Sequence, residues 1–138
     1  MKGKPAPVPQ QHIFRALADR TRLRLLNLLR LGSICVCDLQ SVLGIPQPTV
    51  SRHLAALRHA GLVKDVRKGM RIVYSLTPAV STEIDALHNL LDRCCPEEPV
   101  MREDFVRFRD AVATGKCRLE PYGHETNLPG ALLEGSPA

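Results

Sequence analysis

The chain has 138 residues, which suits one compact domain with short tails and argues against a two-domain or solenoid protein. Hydrophobic residues make up 44% of the composition and aromatic residues only 4%, so an aliphatic core is expected, and this favours helices over a large sheet. The net charge of +5 is divided unevenly: residues 1–76 carry 13 Lys and Arg against 3 Asp and Glu, whereas residues 77–138 carry 6 against 11. This division predicts that the first half binds a polyanion.

The first residues of the chain have no helical or strand pattern. Residues 1–10 contain charges and prolines but no apolar run, so we expect a disordered arm rather than a secretory signal. No segment has the apolar length that a membrane span needs. A first short helix is predicted over Gln11–Leu17.

Two further helices are indicated by apolar spacing and by their caps. Asp19 is suited to cap a second helix over Arg20–Leu31, which Gly32 ends. A third helix is predicted over Val36–Leu43, with Gly44 after it.

A fourth helix and a hairpin come next. The helix is predicted over Pro48–Ala60, with proline in its first turn and Gly61 at its end. Two β-rich runs, Leu62–Arg67 and Arg71–Leu76, flank the basic loop 68–70 and predict a two-stranded hairpin.

The C-terminal half is predicted to be helical and then flexible. Thr77 is expected to cap a fifth helix over Pro78–Arg93, and a short helix is expected over Glu103–Val112. The apolar stripe of the fifth helix comprises Val80, Ile84, Leu87 and Leu91. Prolines and glycines predict a mobile tail from Leu119 onward. The expected organisation is an arm (1–10), a DNA-binding and dimerisation domain (11–95) and a C-terminal extension (96–138).

The order of these elements predicts a winged helix-turn-helix, a mostly α fold with a small β-hairpin. In that fold the second helix of the pair enters the major groove and its first residues meet base edges. At roughly 100° per residue, Val50, Leu54 and Leu57 share one buried face of the fourth helix, and Arg52 lies about 200° from Val50 on the outside. The side chains predicted to contact DNA from this helix are Gln47, Thr49, Ser51 and Arg52.

Four other residues complete the predicted DNA-binding set. His53 lies beside the apolar face, so we expect it to be half-buried and hydrogen-bonded, with a contact to DNA as the alternative. Arg67, Lys68 and Arg71 at the hairpin are suited to a wing that holds phosphate or the adjacent minor groove.

Four motifs lie between residues 16 and 76: LADRTR at 17–22, CVCDL at 35–39, QPTVSRHL at 47–54 and LRHAGLV at 57–63. In these motifs the chain resembles the ArsR/SmtB family of small metal-responsive repressors. The resemblance implies a homodimer formed through the first and fifth helices. It also implies binding to inverted-repeat operator DNA and release when an inducer binds.

The CVCDL motif is similar to the one that arsenic-responsive members carry at the start of the third helix. It implies As(III) or Sb(III) as the inducer, bound by the soft thiolates of Cys35 and Cys37, and no organic cofactor. Such members commonly have a third cysteine three residues further on, where this chain has Gln40. Residues two apart on a regular helix point about 200° away from each other, so ligation of both thiolates is expected to unwind the first turn.

Other ligand sets stay open. Cys94 and Cys95 are a second candidate metal pair, because some relatives place adjacent cysteines after the fifth helix. The two pairs are either independent or complete one another, and Cys117 is a further candidate from the same chain or from its partner. A zinc site is less favoured, because Asp85 and His88 lack the spacing of zinc-sensing relatives and the cysteines lack the four-ligand spacing of a structural site.

The sequence therefore predicts a DNA-binding transcriptional repressor of a metalloid-resistance operon. Five cysteines without an export signal favour reduced thiols in the cytoplasm. A redox or reactive-sulfur sensor of the same fold is the alternative. A thiol-dependent enzyme is disfavoured, since the sequence has no phosphate loop, no basic partner for a nucleophile and no cofactor fingerprint.

Overall fold

The structure, a computed structural model, describes residues 10–120. Its α-helices are α1 (Gln10–Leu17), α2 (Arg20–Leu29), α3 (Val36–Leu43), α4 (Gln47–His59), α5 (Thr82–Cys94) and α6 (Pro99–Ala113). Its strands are β1 (Ile34–Cys35), β2 (Val63–Lys68) and β3 (Arg71–Leu76), and a 3₁₀ helix (Cys95–Glu97) joins α5 to α6. The predicted fold class is confirmed. Most of the predicted arm (1–9) and of the predicted tail (121–138) lies outside the described residues.

The caps of α2 and α3 follow the prediction. Asp19 has extended backbone and accepts a hydrogen bond from the amide of Arg22 at 3.0 Å, as an N-cap does. α2 ends at Leu29, two residues early, because the amide of Leu31 bonds only three residues back and the chain turns towards β1. Gly44 ends α3 with a φ of 66°, a left-handed conformation that suits a residue without a Cβ.

α4 begins one residue before the predicted start. Pro48 lies in its first turn, where the missing amide hydrogen leaves no helical bond unmade. Val50, Leu54 and Leu57 are all buried, as the helical spacing predicted. They join a core with residues of α2 and α3, and this packing fixes which face of α4 remains exposed.

The hairpin forms as predicted. β2 and β3 pair from Val63 opposite Leu76 to Lys68 opposite Arg71, and Gly69 has a φ of 63° in the loop between them. The last residues of β2 and the first of β3 therefore lie side by side at the tip of the wing. Three basic residues come together there.

The sheet has a third strand that the sequence did not indicate. Ile34 pairs with Tyr74 and Cys35 with Val73, which adds β1 antiparallel to β3 in the order β1-β3-β2. Two residues are too few to show an alternating pattern, so the strand exists only because the edge of β3 offers free hydrogen-bonding groups. The wing is thereby joined to the start of α3.

The prediction that Thr77 caps the fifth helix is wrong. α5 begins at Thr82, and Ser81 is its N-cap, with its Oγ accepting a hydrogen bond from the amide of Ile84 at 3.2 Å. The hydroxyl of Thr77 instead donates to the carbonyl oxygen of Gly61 at 2.7 Å. Thr77 thus links the end of β3 to the end of α4. The fifth helix starts five residues later.

The C-terminal helices pack into the same core as the rest. Val80 precedes α5 and is 82% exposed, so it is not part of the apolar stripe, whereas Ile84, Leu87 and Leu91 are buried as predicted. α6 is longer than expected, and it buries Met101 and Phe108 against that core. Asp104 of α6 forms a bidentate ion pair with Arg24 of α2. No helix in the described part of the chain is long and apolar enough to cross a membrane.

Candidate nucleic-acid interface and thiol site

The start of α4 presents a polar face to solvent. Gln47, Ser51 and Arg52 are exposed and Thr49 is half-buried, while Val50 points into the core. The Arg52 guanidinium makes no hydrogen bond or ion pair with any other residue between 10 and 120. Free guanidinium and amide groups at this place in a helix can read base edges, and hydroxyls can hold phosphate.

His53 is held inside this unit. Its side chain is 13% exposed, and Nδ1 accepts a hydrogen bond from Arg22 Nε at 3.2 Å. The same ring nitrogen lies 3.9 Å from Asp19, the cap of α2. This is the half-buried arrangement expected beside the apolar face, and it favours a role in positioning α4 against α2 over a contact with DNA.

The three predicted cations of the wing have different surroundings. Arg67 is exposed, with its Nε donating to the carbonyl oxygen of Gly69 at 3.4 Å. Lys68 and Arg71 both contact the carboxylate of Glu120, Arg71 at 2.8 Å. The hydrogen bond from Lys68 is the main reason that the pKa of Glu120 is lowered. Glu120 lies 52 and 49 residues from these partners, so no local pattern could have revealed it.

The first cysteine pair lies at the junction of β1 and α3. Cys35 is the last residue of β1 and the N-cap of α3, with φ −75° and ψ 155°, and Cys37 is the second residue of the helix. Their Sγ atoms lie 2.7 Å apart, and both thiols are free. Burial, followed by the hydrogen bond to Cys37, raises the pKa of Cys35 to about 12. Cys37 is exposed, so the pair is open to solvent on one side.

This geometry contradicts the expected unwinding of α3. That expectation treated both cysteines as helical residues, whose side chains point about 200° apart. The extended backbone of Cys35 instead turns its side chain towards Cys37. Ligation of both thiols therefore does not require the first turn of α3 to unwind.

Asp38 adds a carboxylate to the thiol pair, a neighbour that the sequence reasoning did not use. The potential ligand atoms of Cys35, Cys37 and Asp38 lie within 4.8 Å of one another, the one such group of three within residues 10–120. Asp38 Oδ2 also accepts a hydrogen bond from the amide of Arg118 at 2.9 Å. Cys117 is buried next to it: burial raises the pKa of Cys117 to about 11, and the nearby Asp38 and Cys37 add to the increase.

The second cysteine pair is divided between two environments. Cys94 ends α5 and is exposed, whereas Cys95 begins the 3₁₀ helix and is buried. Burial raises the pKa of Cys95, and nearby Arg30 opposes that effect. Within the described residues neither cysteine belongs to a group of three potential ligands, and Asp85 and His88 do not belong to one either.

Known proteins match the same part of the chain. Residues 19–65 match the family model for bacterial regulatory proteins of the arsR family. The structure resembles that of reduced HlyU from Vibrio cholerae with a TM-score of 0.54 and 34% identity, covering 61% of this chain and 85% of HlyU. The chain belongs to the arsR family. Its resemblance to a possible ArsR-family regulator of Mycobacterium bovis, described as a homodimeric winged helix-turn-helix DNA-binding domain, has a TM-score of 0.54 and 27% identity over 72% of this chain and 94% of that one.

A relative of known function matches about half of the chain. The arsenic resistance transcriptional regulator ArsR1 of Pseudomonas putida is 47% identical over 76 residues, which is 54% of this chain. The chain spans 59% of the length of that regulator.

The arsR-family match includes some of the site residues and not others. Cys35, Cys37 and Asp38 lie inside residues 19–65, as does the whole of α4. The wing cations, Cys117 and Glu120 lie beyond its end. The contacts that the last described residues make with the thiol site and the wing are therefore features of this chain rather than of the matched segment.

Proposed function

We propose that this chain is a transcriptional repressor of a metalloid-resistance operon that trivalent arsenic or antimony releases from its operator. The observation that carries the proposal is the pair of free thiols, Cys35 and Cys37, with Sγ atoms 2.7 Å apart at the start of α3. The name of the relative from Pseudomonas putida, an arsenic resistance regulator, supports this choice of inducer.

The DNA-reading face in this proposal is the exposed start of α4. Arg52 and Gln47 meet base edges in the major groove, and the hydroxyls of Thr49 and Ser51 hold phosphate. The wing grips the backbone or the neighbouring minor groove through Arg67, Lys68 and Arg71. Homologous regulators are transcription factors rather than enzymes, which supports a binding role without catalysis.

The inducer site in this proposal is the thiol pair. Thiolate sulfur is a soft ligand, which trivalent arsenic and antimony prefer over carboxylate or imidazole. Two contacts link the pair to the DNA-binding elements: Cys35 pairs with Val73 of β3, and α3 packs against α4 in the common core. A change at the thiols therefore acts on elements that touch DNA.

A homodimer is part of the proposal. Phe14 of α1 is 67% exposed and Leu90 of α5 is 50% exposed, so both helices carry apolar groups that a second copy would cover. The homodimeric relative from Mycobacterium bovis supports this assembly. A two-fold dimer presents two copies of α4 and fits an inverted-repeat operator, with residues 11–95 as the DNA-binding and dimerisation unit and residues 96–138 as an extension.

The experiment is an arsenite titration of the full chain bound to a DNA duplex that it selects from random sequences, with reductant present. Wild type is expected to release the DNA. Cys35→Ser and Cys37→Ser are each expected to bind the DNA as wild type does and to stay bound when arsenite is added. The double variant Cys94→Ser with Cys95→Ser is the control, and it should release DNA as wild type does.

Two outcomes would contradict parts of the proposal. Release that survives the loss of Cys35 and Cys37 but is abolished in the Cys94 and Cys95 variant assigns sensing to the second pair. Wild type that selects no DNA, or that ignores both arsenite and antimonite, contradicts the function itself.

A redox or reactive-sulfur sensor of the same fold is the second candidate, favoured by the 2.7 Å between the Sγ atoms of Cys35 and Cys37. Thiols this close can be joined by an oxidant, and the relative from Vibrio cholerae was described specifically in its reduced state. Release of DNA that requires an oxidant and is reversed by reductant supports this candidate. Release by arsenite with all thiols reduced excludes it.

A further inference from the structure

The last described residues, 117–120, form a segment that we call the strap. It begins just after α6, where the amides of Lys116 and Cys117 both donate to the carbonyl oxygen of Ala111 at 2.8 and 3.0 Å. The amide of Arg118 donates to Asp38 Oδ2 at 2.9 Å. The strap therefore passes along the start of α3, next to the thiol pair.

The other end of the strap is fastened in front of β1. Ser33 and Glu120 exchange two backbone hydrogen bonds, of 2.8 and 3.0 Å. The approach is so close that a Cβ on Gly32 would lie 2.6 Å from the carbonyl oxygen of Glu120 and 2.8 Å from Cδ1 of Leu119. A glycine at this position thus lets the strap lie flat against the chain that leads into Cys35.

Cys117 is the one cysteine of the strap, and it is buried at this junction. It lies close to the thiol pair along the chain path, because the amide of the next residue, Arg118, donates to Asp38 Oδ2 at 2.9 Å. It is not within 4.8 Å of every member of the Cys35–Cys37–Asp38 group, so ligation with the pair requires the thiol to move closer to Cys35 and Cys37.

Glu120 connects the strap to the wing. Its carboxylate forms ion pairs with both Lys68 and Arg71, and its side chain is only 20% exposed. While this contact lasts, two of the three wing cations are neutralised by a group of the same chain. A DNA phosphate that uses Lys68 or Arg71 must displace Glu120.

We propose that Cys117 supplies the third thiolate of the metalloid site, and that its ligation holds Glu120 on Lys68 and Arg71 so that these two wing cations are withheld from DNA. This inference rests on the proposed function of the Cys35 and Cys37 pair. Cys117 would thus provide, from the same chain, the third sulfur that is missing at Gln40. It also gives a route from inducer to DNA that does not require α3 to unwind.

The ligation is a balanced exchange without oxidation. Arsenous acid, As(OH)₃, meets the three thiols of Cys35, Cys37 and Cys117. Three As–O bonds are replaced by three As–S bonds, and each thiol proton leaves with one hydroxide as water. Arsenic stays trivalent and the product carries no net charge, which suits a site where two of the three thiols are buried.

The strap works as a switch because the inducer binds only one of its two states. Without arsenite, the strap is held by a few backbone hydrogen bonds and by ion pairs that phosphates can replace. With arsenite, the strap is also held through Cys117, so the population shifts towards the state in which Glu120 covers the wing. By linkage, DNA must weaken the binding of arsenite by the same factor.

The first test counts the sulfur neighbours of bound arsenic by X-ray absorption, in the full-length protein with arsenite and reductant. Wild type is expected to show three sulfurs, and Cys117→Ser two sulfurs and one oxygen. The affinity of Cys117→Ser for arsenite should fall by at least roughly tenfold, since loss of an outer-shell partner alone can cost that much. Cys117→Ala serves if serine is not tolerated at this buried position, and Cys94→Ser with Cys95→Ser is the control that keeps three sulfurs.

The second test asks whether Glu120 transmits the effect. Arsenite is expected to weaken DNA binding of wild type by at least roughly fivefold, the lower end of usual allosteric coupling, and that of Glu120→Gln by clearly less. Glu120→Gln should still bind arsenite through three sulfurs. Glu98→Gln, which alters another surface ion pair, is the matched control and should respond as wild type does.

The outcomes separate this inference from the function on which it rests. Three sulfurs retained in both Cys117 variants, or loss of the third sulfur only in the Cys94 and Cys95 variant, overturns the assignment of Cys117. Equal arsenite-induced loss of DNA affinity in wild type and Glu120→Gln overturns the role of the strap. If the Cys35 and Cys37 variants bind arsenite as tightly as wild type, the assignment of the inducer site to that pair fails together with this inference. The proposed function itself fails only if wild type selects no DNA or does not respond to arsenite or antimonite.

Discussion

Arg52 lies on the exposed side of α4, and its guanidinium has no partner between residues 10 and 120. Because Val50 and Leu54 are fully buried on the other side, the direction of Arg52 is set by core packing and not by its own contacts. Arg52→Ala should therefore leave stability within about 0.5 kcal/mol of wild type while weakening binding to the selected duplex by roughly 1–3 kcal/mol. Anisotropy titrations and urea unfolding measure the two quantities.

Arg109→Ala is the control for Arg52, since the side chain of Arg109 is 42% exposed but lies on α6 and pairs with Asp110. It should change neither quantity by much. Full DNA affinity in Arg52→Ala, or an equal loss in both variants, would show that α4 does not read DNA in this way.

The contact between α2 and α6 is the clearest case where an element depends on a distant one. Asp104 is completely buried, and both of its oxygens accept hydrogen bonds from Arg24, at 2.7 and 2.9 Å. Arg107 of the same helix also contacts this carboxylate. Asn27 of α2 adds a hydrogen bond of 3.0 Å to the carbonyl oxygen of Met101. These polar contacts fix α6 in register on α2.

Asp104→Ala should lower the free energy of unfolding by about 3–5 kcal/mol, because it leaves the largely buried guanidinium of Arg24 without its partner. Asp110→Ala on the same helix is the control. Its carboxylate is 64% exposed, and its loss should cost less than about 1 kcal/mol. Urea unfolding at one fixed protein concentration measures both, since the stability of a dimer depends on concentration. Similar losses in the two variants would refute the structural role of the buried pair.

Across the whole molecule, the basic first half is partly neutralised by the acidic second half. The pairs are Arg20 with Glu98, Arg24 with Asp104, Arg30 with Asp92, and Lys68 and Arg71 with Glu120. Arg20, Arg24 and Arg30 thus hold the C-terminal segment. Arg52 of α4 and Arg67 of the wing have no carboxylate partner within residues 10–120 and stay available to a polyanion. The charge division in the sequence reflects folding as well as binding.

This distribution predicts how DNA binding depends on salt. Arg67→Ala should lower the slope of log affinity against log salt concentration by roughly 0.9, the value of one phosphate contact. Lys68→Ala should lower the slope by less. When Lys68 leaves Glu120 for a phosphate, Glu120 takes up a cation from solution, and this uptake offsets the ion that the phosphate releases. Titrations between about 50 and 200 mM salt measure the slopes. A larger loss for Lys68 than for Arg67 would contradict the pairing with Glu120.

Most elements of the fold could be predicted because their signals are local. The cap at Asp19, the end of α3 at Gly44 and the buried face of α4 each depend on residues within a few positions of one another. Thr77 was misassigned because a threonine before a proline is typical of a helix start, whereas its hydroxyl bonds to Gly61, 16 positions earlier, a contact that only the tertiary structure makes. β1 was missed because a two-residue strand has no pattern of its own.

The fold class, the family and the two thiols of the CVCDL motif could all be predicted from the amino-acid sequence. All three depend on residue types at short spacings along the chain, where residues a few positions apart act on one another directly. That Cys35 lies outside the helix and faces Cys37 became evident only from the three-dimensional structure. The same is true of the position of the strap, from Cys117 to Glu120, between the thiols and the wing. Residues as far apart as Asp38 and Arg118, 80 positions along the chain, meet only when α6 packs on α2 and returns the chain to β1.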